Sequence, residues 1–366
     1  MRAIPSILFV GGFLGAGKTT AIVALARILS ERGIVAGAIT NDQAQGLVDT
    51  LFMRQDGLQA LEVAGSCFCC DFGGLSKALE ESIFRNKAEV VLAEPVGSCT
   101  DIVATVIRPM RRILGDGVRV HAYSVLVEPD RWNELAEEEG LAPHSMRFLF
   151  HKQLQEADFI VITKSDTLEG PALQALVNRV ADRYPESTVL SISAVKGEGL
   201  DTWLDLVQTT PPGERWLKEL DYREYAEAEA EMGWLNAQLS LRFNEATDGG
   251  NAAVQIVDDL REGIRGKGGR IGHLKILAVG SGGSVKCGVS GMKARPEVDG
   301  SFTGLQDRLD ITINMRATLA PEELSRLVER LARTLEERDG VEYSWTYLNT
   351  FRPSPPSPTY RYGLES

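Results

Sequence analysis

Gly12-Phe13-Leu14-Gly15-Ala16-Gly17-Lys18-Thr19 stands between the apolar run Ser6 to Val10 and a helix-patterned stretch from Thr20 to Arg32. Strand, glycine-rich turn and helix in that order make a phosphate cradle. Successive backbone N–H groups converge on the anion, and the helix N-terminus adds a favourable dipole. In this arrangement Gly12, Gly15, Ala16 and Gly17 line the turn, Lys18 reaches the β and γ phosphates, and Thr19 and Thr20 open the helix, with the Thr19 hydroxyl set to ligate Mg²⁺. A glycine turn that merely caps a helix is the competing reading, and the motif, the preceding strand and the following helix together weigh against it. Nucleotide binding is the expectation.

Outward from this turn, short apolar runs alternate with helix-patterned stretches: Ser6 to Val10, Ile34 to Thr40, Leu58 to Val63, Val90 to Ala93, Val118 to Val127, Phe159 to Thr163 and Thr188 to Ser191. The alternation predicts an α/β fold of the P-loop NTPase kind, a mostly parallel sheet with helices on both faces. Thr209-Thr210-Pro211-Pro212-Gly213 breaks the pattern, and the acidic segment that follows is expected to be a connecting helix. Beyond it, strand, helix, strand, a glycine-rich excursion, strand, helix and strand give the split βαβ order of a smaller ferredoxin-like α+β domain. The expected division is a nucleotide-binding domain over residues 1–213, a connecting helix over 214–235, the second domain over 236–351, and a Pro/Ser-rich tail over 352–366 that is extended or mobile.

The chain has 366 residues and a formal net charge of −12, which opposes binding to nucleic acid and to anionic membrane surfaces. No apolar run approaches the roughly twenty residues of a membrane span, and the N-terminus enters a strand without a charged-then-apolar leader. A cytoplasmic protein is expected. Of its five cysteines, three crowd into Cys67, Cys69 and Cys70, a spacing suited to thiolate ligation rather than mutual disulfides. A reducing compartment fits that use.

Thr163-Lys164-Ser165-Asp166 closes an apolar run where GTPases carry the base-reading motif Asn-Lys-x-Asp. An ionised Asp166 accepts from both guanine N1–H and N2–H₂, a donor pair adenine lacks, while the Lys164 stem covers the purine face. Thr163 departs from the motif, since it cannot supply a bidentate amide. Ser193-Ala194-Val195, after the next strand, resembles the loop whose backbone meets the guanine carbonyl. Glu94-Pro95-Val96-Gly97 follows the run Val90 to Ala93, at the place of the GTPase Asp-x-x-Gly motif. There a carboxylate holds Mg²⁺ through water and the Gly97 N–H bonds the γ-phosphate; a strand-end glutamate in an ordinary turn is the alternative.

With the P-loop, this Glu-x-x-Gly and the cysteine cluster, the chain resembles the metallochaperone GTPases, comprising CobW-type proteins and the urease and hydrogenase accessory GTPases. The resemblance implies a GTPase, with Lys18, Glu94 and Asp42 as its catalytic residues. Ile39-Thr40-Asn41-Asp42 resembles the corresponding segment of the urease accessory GTPase, which makes Asp42 a Mg²⁺ ligand on a switch loop beside Thr19 and Glu94; an N-cap role for Asn41 or Asp42 competes. CobW-type proteins usually carry glutamates flanking this segment, where this chain has Thr40 and Gln45. Gly65-Ser66-Cys67-Phe68-Cys69-Cys70 matches the Cys-x-Cys-Cys signature of the CobW branch, and three soft thiolates suit Zn²⁺, Co²⁺ or a related ion with one coordination position left over. Cys99 either completes a Cys₄ site or is a buried thiol. His121, His144 and His151 are scattered, and His273 with Cys287 lies by the glycine-rich excursion, where a small ligand site or a hairpin are the two readings.

The resulting expectation is a slow GTPase that uses GTP and Mg²⁺ and carries a thiophilic ion gated by nucleotide state. Its partner would be a client metalloenzyme or corrinoid protein, and a nucleotide-dependent homodimer is compatible with it. The competing functions are an activator of a corrinoid-dependent enzyme and a non-catalytic, nucleotide-gated client-binding module.

Overall fold

The computed structural model describes residues 4–43, 48–137, 142–213, 215–291 and 295–363; Gln45 and Glu214 lie outside them. By contacts the chain forms two units, and the division is not sequential. The first comprises Met1–Gln43, Met53–Ala228 and Pro355–Ser366, the second Ala44–Phe52 and Glu229–Ser354.

The strands of the first unit are β1 (Ser6–Gly12), β2 (Ala36–Asp42), β3 (Gln59–Ala64), β4 (Val90–Glu94), β5 (Arg119–Val120), β6 (Ser124–Val127), β7 (Phe159–Ile162) and β8 (Thr188–Ser191). They form one sheet in the order β3-β2-β4-β1-β6-β7-β8, with β5 also pairing β1, and all its pairings are parallel. Strands β1, β4, β6 and β7 are buried along their whole length, as the uninterrupted Val/Ile/Leu runs require of a parallel sheet covered on both faces. The run Val118 to Val127, expected as one strand, is two. Arg119–Val120 and Ser124–Val127 both pair β1, and between them the Tyr123 N–H turns aside to the Asp158 carboxylate at 2.8 Å. Since every strand points the same way, the ends of β1, β2, β4 and β7 bring their following loops to one edge of the sheet, where ligands of such folds bind.

The second unit carries β9 (Gly233–Thr247), β10 (Ile271–Gly280), β11 (Gly283–Val289), β12 (Glu297–Phe302), β13 (Gln306–Ala317) and β14 (Glu342–Phe351) in an antiparallel sheet ordered β12-β11-β10-β13-β9-β14. Strands β10, β13, β9 and β14, with the helices Gly249–Gly266 and Pro321–Asp339, keep the expected split βαβ order, and the glycine-rich excursion is the added pair β11–β12. The connecting helix is shorter than expected, Tyr222–Ala230, because β9 begins at Gly233. Apolar residues of both helices close over one face of the sheet, including Ile256, Leu260, Val328 and Leu331. Within this unit Val48 N–H donates to Asn314 Oδ1 at 2.7 Å and the Lys275 ammonium pairs with Asp49 at 2.7 Å. Among the described residues no helix is long and apolar enough to cross a membrane.

Candidate functional site

The turn after β1 owes its shape to glycine: Gly15 and Gly17 sit at φ 83° and 81°, a left-handed region that is costly for residues with a Cβ. Gly17 thereby starts the helix Lys18–Glu31, whose first turn holds no acidic residue, so the unpaired N–H groups and the dipole face the loop with no carboxylate from that turn to neutralise them. Lys18 is buried, and its ammonium donates to Gly12 O at 2.9 Å and lies 3.9 Å from Glu94 Oε1. The Thr19 hydroxyl donates to Glu94 at 3.1 and 3.3 Å. Hydroxyl and carboxylate together are hard oxygen donors of the sort Mg²⁺ takes. Asp42 closes β2 on the same edge, two residues past Thr40, whose register partner in β4 is Glu94. A Cβ on Gly97 would lie 3.1 Å from Lys18 Nζ and 2.8 Å from Leu14 Cδ2, so only glycine lets the loop after Glu94 approach the P-loop this closely.

At the far side of β1, the Thr163 hydroxyl donates to Ala16 O at 3.0 Å, joining the end of β7 to the P-loop. The departure from asparagine thus retains a tie between the two segments. Lys164 adopts φ 52° and its ammonium stands 3.5 Å from Glu128. Asp166 is exposed, and the buried Ser193 hydroxyl donates to its Oδ1 at 2.6 Å, so the structure brings together the two segments read as base contacts. Ala194 is half-buried and Val195 exposed beside them, while Thr20 is half-buried in the first turn of its helix.

The cysteine loop is built from β2 and β3. Asn41 is not a helix cap. Its side-chain amide donates to Val63 O at 2.9 Å and to Ser66 O at 2.7 Å, and its Oδ1 accepts from Phe68 N–H at 2.7 Å. One buried amide therefore fixes both sides of the loop. Phe68 is fully buried and packs edge-on against Phe9 of β1. A tight turn, with the N–H groups of Cys70 and Asp71 both donating to Cys67 O, bends the chain into the helix Phe72–Glu80, whose N-cap is Asp71. The sulfurs of Cys67, Cys69 and Cys70 all lie within 4.8 Å of one another, and all three residues are free thiols. Cys67 and Cys69 are 2.7 Å apart, and the Cys69 hydrogen bond holds the Cys67 thiol far below its ordinary range while pushing Cys69 well up. Zn–S bonds of about 2.3 Å place tetrahedral sulfurs about 3.8 Å apart, so ligation would spread this pair.

Residues 352–363 of the tail carry no regular secondary structure, but the tail is fastened here. Thr359 N–H and Oγ1 donate to the carbonyls of Cys69 (2.8 Å) and Cys70 (3.0 Å), Ser357 N–H donates to Cys70 Sγ at 3.1 Å, and Tyr360 packs edge-on against Phe72. Sequence reasoning missed this strap, since a Pro/Ser-rich segment has no periodicity to betray a docking face. It missed Gln153 as well, a buried amide on the helix His144–Gln155 that donates to Gly97 O at 2.9 Å and Cys99 O at 2.8 Å. Among the described residues no histidine joins the group of side chains that could hold a metal. Burial lowers His121 and His151 to about 4, and His151 bonds Tyr184. Cys287 lies in the core of the second unit, where burial pushes its thiol up to about 12, and His273 is buried in β10.

The profile of the family described as CobW/HypB/UreG, nucleotide-binding domain, matches residues 6–191. Two curated relatives named zinc chaperone CobW align with this chain. That of Sinorhizobium sp. is 28% identical over 211 residues, 51% of this chain and 58% of the relative; that of Pseudomonas aeruginosa is 24% identical over 224 residues, 52% and 57%. The chain thus spans less than three-fifths of the length of either relative. Among solved structures, nickel-bound HypB from Helicobacter pylori is 15% identical, covering 58% of this chain and 92% of its own, at a TM-score of 0.44. Zn(II)-bound YjiA GTPase from E. coli is 13% identical, covering 90% and 99%, at 0.35. With its glycine-rich turn, its Glu-x-x-Gly loop and its cysteine loop on one sheet, and with the family profile matching residues 6–191, the chain belongs to the CobW/HypB/UreG family.

Proposed function

We propose that this chain is a GTP-hydrolysing metallochaperone or metalloenzyme activator that takes a thiophilic ion on Cys67, Cys69 and Cys70 and couples its release to the nucleotide. The observation that carries the proposal is the Asn41 amide, which belongs to the same strand end as Asp42 and braces the loop holding the cysteines. A change at Asp42 on nucleotide turnover is one residue from a change at the metal loop.

The substrate's phosphates lie along the Gly15–Lys18 turn, with the Lys18 ammonium balancing the charge that builds on the bridging oxygen. Thr19, Glu94 and Asp42 would hold Mg²⁺, which would supply charge neutralisation for the phosphates. Asp166, oriented by Ser193, accepts from guanine, and the Gly97 N–H bonds the γ-phosphate. Hydrolysis needs mainly positioning, so turnover is slow until a client or the carried ion orders the loops. Zinc, named for the curated relatives, is the first ion to test.

Turnover of GTP by the full chain, with and without one equivalent of Zn²⁺ or Co²⁺, tests the reading. Hydrolysis whose rate responds to the ion, with ATP a poor competitor, is the expected result. A folded protein that binds GTP but hydrolyses none under either condition would be a nucleotide-gated binding module instead, and equal competition by ATP would remove the base assignment.

A further inference from the structure

We propose that residues 357–362 of the tail form a releasable cover on the cysteine loop, and that its opening at Arg361 sets how fast an ion enters or leaves Cys67, Cys69 and Cys70. The inference rests on the metal-carrying reading above and names a regulator of that site. Pro353, Pro355, Pro356 and Pro358 favour an extended chain with few free conformations, so ordering it on a surface costs little entropy. Between residues 355 and 359 only Ser357 and Thr359 keep a backbone N–H. Both serve the cysteine loop, Ser357 donating to Cys70 Sγ at 3.1 Å and Thr359 to Cys69 O at 2.8 Å. The Thr359 hydroxyl adds a bond to Cys70 O at 3.0 Å.

Cys70 is the side from which the site can be reached. Cys67 and Cys69 are buried whereas Cys70 is half-buried, and the Ser357 N–H lies on its sulfur. A hydrogen bond from outside the ligand set fixes the orientation of a ligating atom and strengthens its hold on the ion. The strap therefore acts on the one cysteine through which exchange is easiest.

The far end of the strap is fastened by charge. Arg361 donates to the Asp101 carboxylate at 2.7 Å and to Leu217 O at 2.7 Å, with the Trp216 and Tyr222 rings 5.3 and 5.6 Å from its guanidinium. Tyr362 N–H donates to Ala104 O at 2.8 Å, and between the two fastenings Tyr360 packs on Phe72. Asp101 also accepts from the Tyr222 hydroxyl at 2.8 Å and is held at φ 60°, a strained angle for a residue with a side chain, which such a set of bonds can sustain. Its carboxylate is completely buried while the Arg361 side chain is 34% exposed, so the pair opens from the tail side. Asp101 lies four residues past Gly97, and the strap thus ties the cysteine loop to the segment leading away from the Glu-x-x-Gly turn.

Iodoacetamide labelling of the metal-free full chain, with each cysteine followed by peptide mass, is the first test. Arg361→Gln opens the catch, and Ser357→Pro removes a single N–H while continuing the proline run. In both variants Cys70 should label about tenfold faster than in the parent, and Cys287 at the parent rate. In the second test each protein carries one Zn²⁺, whose transfer to a chromophoric chelator should be about tenfold faster in both variants. Parent-like labelling or parent-like transfer in either folded variant would overturn the proposal. A parent chain that gives no thiolate absorption with Co²⁺ would remove the metal reading and the gate with it, a failure read on the parent alone and so distinct from the first.

Discussion

Two regions on one sheet edge make an instructive contrast. Around Lys18, Thr19 and Glu94 the donors are hard oxygens and an ammonium, delivered by a strand end and a helix start already locked by their own backbone geometry. Around Cys67, Cys69 and Cys70 the donors are soft sulfurs on a short turn that needs outside help, from Asn41 on one side and from the tail on the other. The oxygen site is specified by local sequence; the sulfur site is specified by local sequence and aimed by distant residues. Hard and soft chemistry are thus kept apart, yet β2 runs into both, through Asp42 on one side and the Asn41 brace on the other.

Lys18→Ala gives the largest separation between the two regions. GTP hydrolysis should fall by about a hundredfold or more, because the P-loop loses its side-chain cation, while Co²⁺ binding to the nucleotide-free protein keeps its thiolate absorption. Parent-rate hydrolysis by the folded variant would break the phosphate-cradle assignment. Asp166→Asn acts at the base end. GTP affinity should drop by about tenfold to a hundredfold and xanthosine triphosphate should take its place, since an amide donates to the carbonyl that replaces the guanine amine. Binding competition against both nucleotides measures this, and an unchanged preference for GTP contradicts it.

Asn41→Ala removes the brace and sharpens the comparison most. With Phe68 N–H, Val63 O and Ser66 O left unpaired in a buried place, stability should fall by about 1–3 kcal/mol, measured by denaturant unfolding. The nucleotide dependence of metal affinity should shrink, and full dependence in the variant would show that coupling bypasses this amide.

The smallest effect is on the pH profile. Burial pushes Glu156 up to about 8, and its carboxyl backs the Cys99 loop through Thr100 and Val103. The folded state therefore holds a proton that the unfolded chain, with an ordinary glutamate near 4.5, has released. Its contribution is fully present below about 4.5 and is lost as pH rises through about 8. Glu156→Gln should remove that part of the decline, so thermal melts between pH 5 and 8 should slope less than in the parent; equal slopes would place the titration elsewhere.

Why some of this could be anticipated and some could not follows from the same contrast. The P-loop was legible because Gly15, Gly17, Lys18 and Thr19 do their work within eight residues, and the Cys-x-Cys-Cys spacing was equally local. The sheet of the first unit was legible from its apolar runs, except where Tyr123 interrupts one. Nothing local marked Asn41 as a brace, because a strand-end asparagine beside an aspartate looks like a cap. Nor did anything local mark Gln153 as a clamp on the loop after Glu94, because a glutamine on a helix reads as an ordinary polar position. Strands β11 and β12 were hidden by glycines, which give strands no side-chain pattern.

The proposed function turns on a sulfur site that senses the nucleotide. Its most direct test is the Zn²⁺ affinity of the full chain, measured by chelator competition with GDP and again with a non-hydrolysable GTP analogue. The two affinities should differ by about fivefold or more, with reciprocal weakening or strengthening of nucleotide binding by zinc, and the difference should vanish when Cys67, Cys69 and Cys70 are all serine. Equal affinities in the two nucleotide states of the parent protein would contradict the claim.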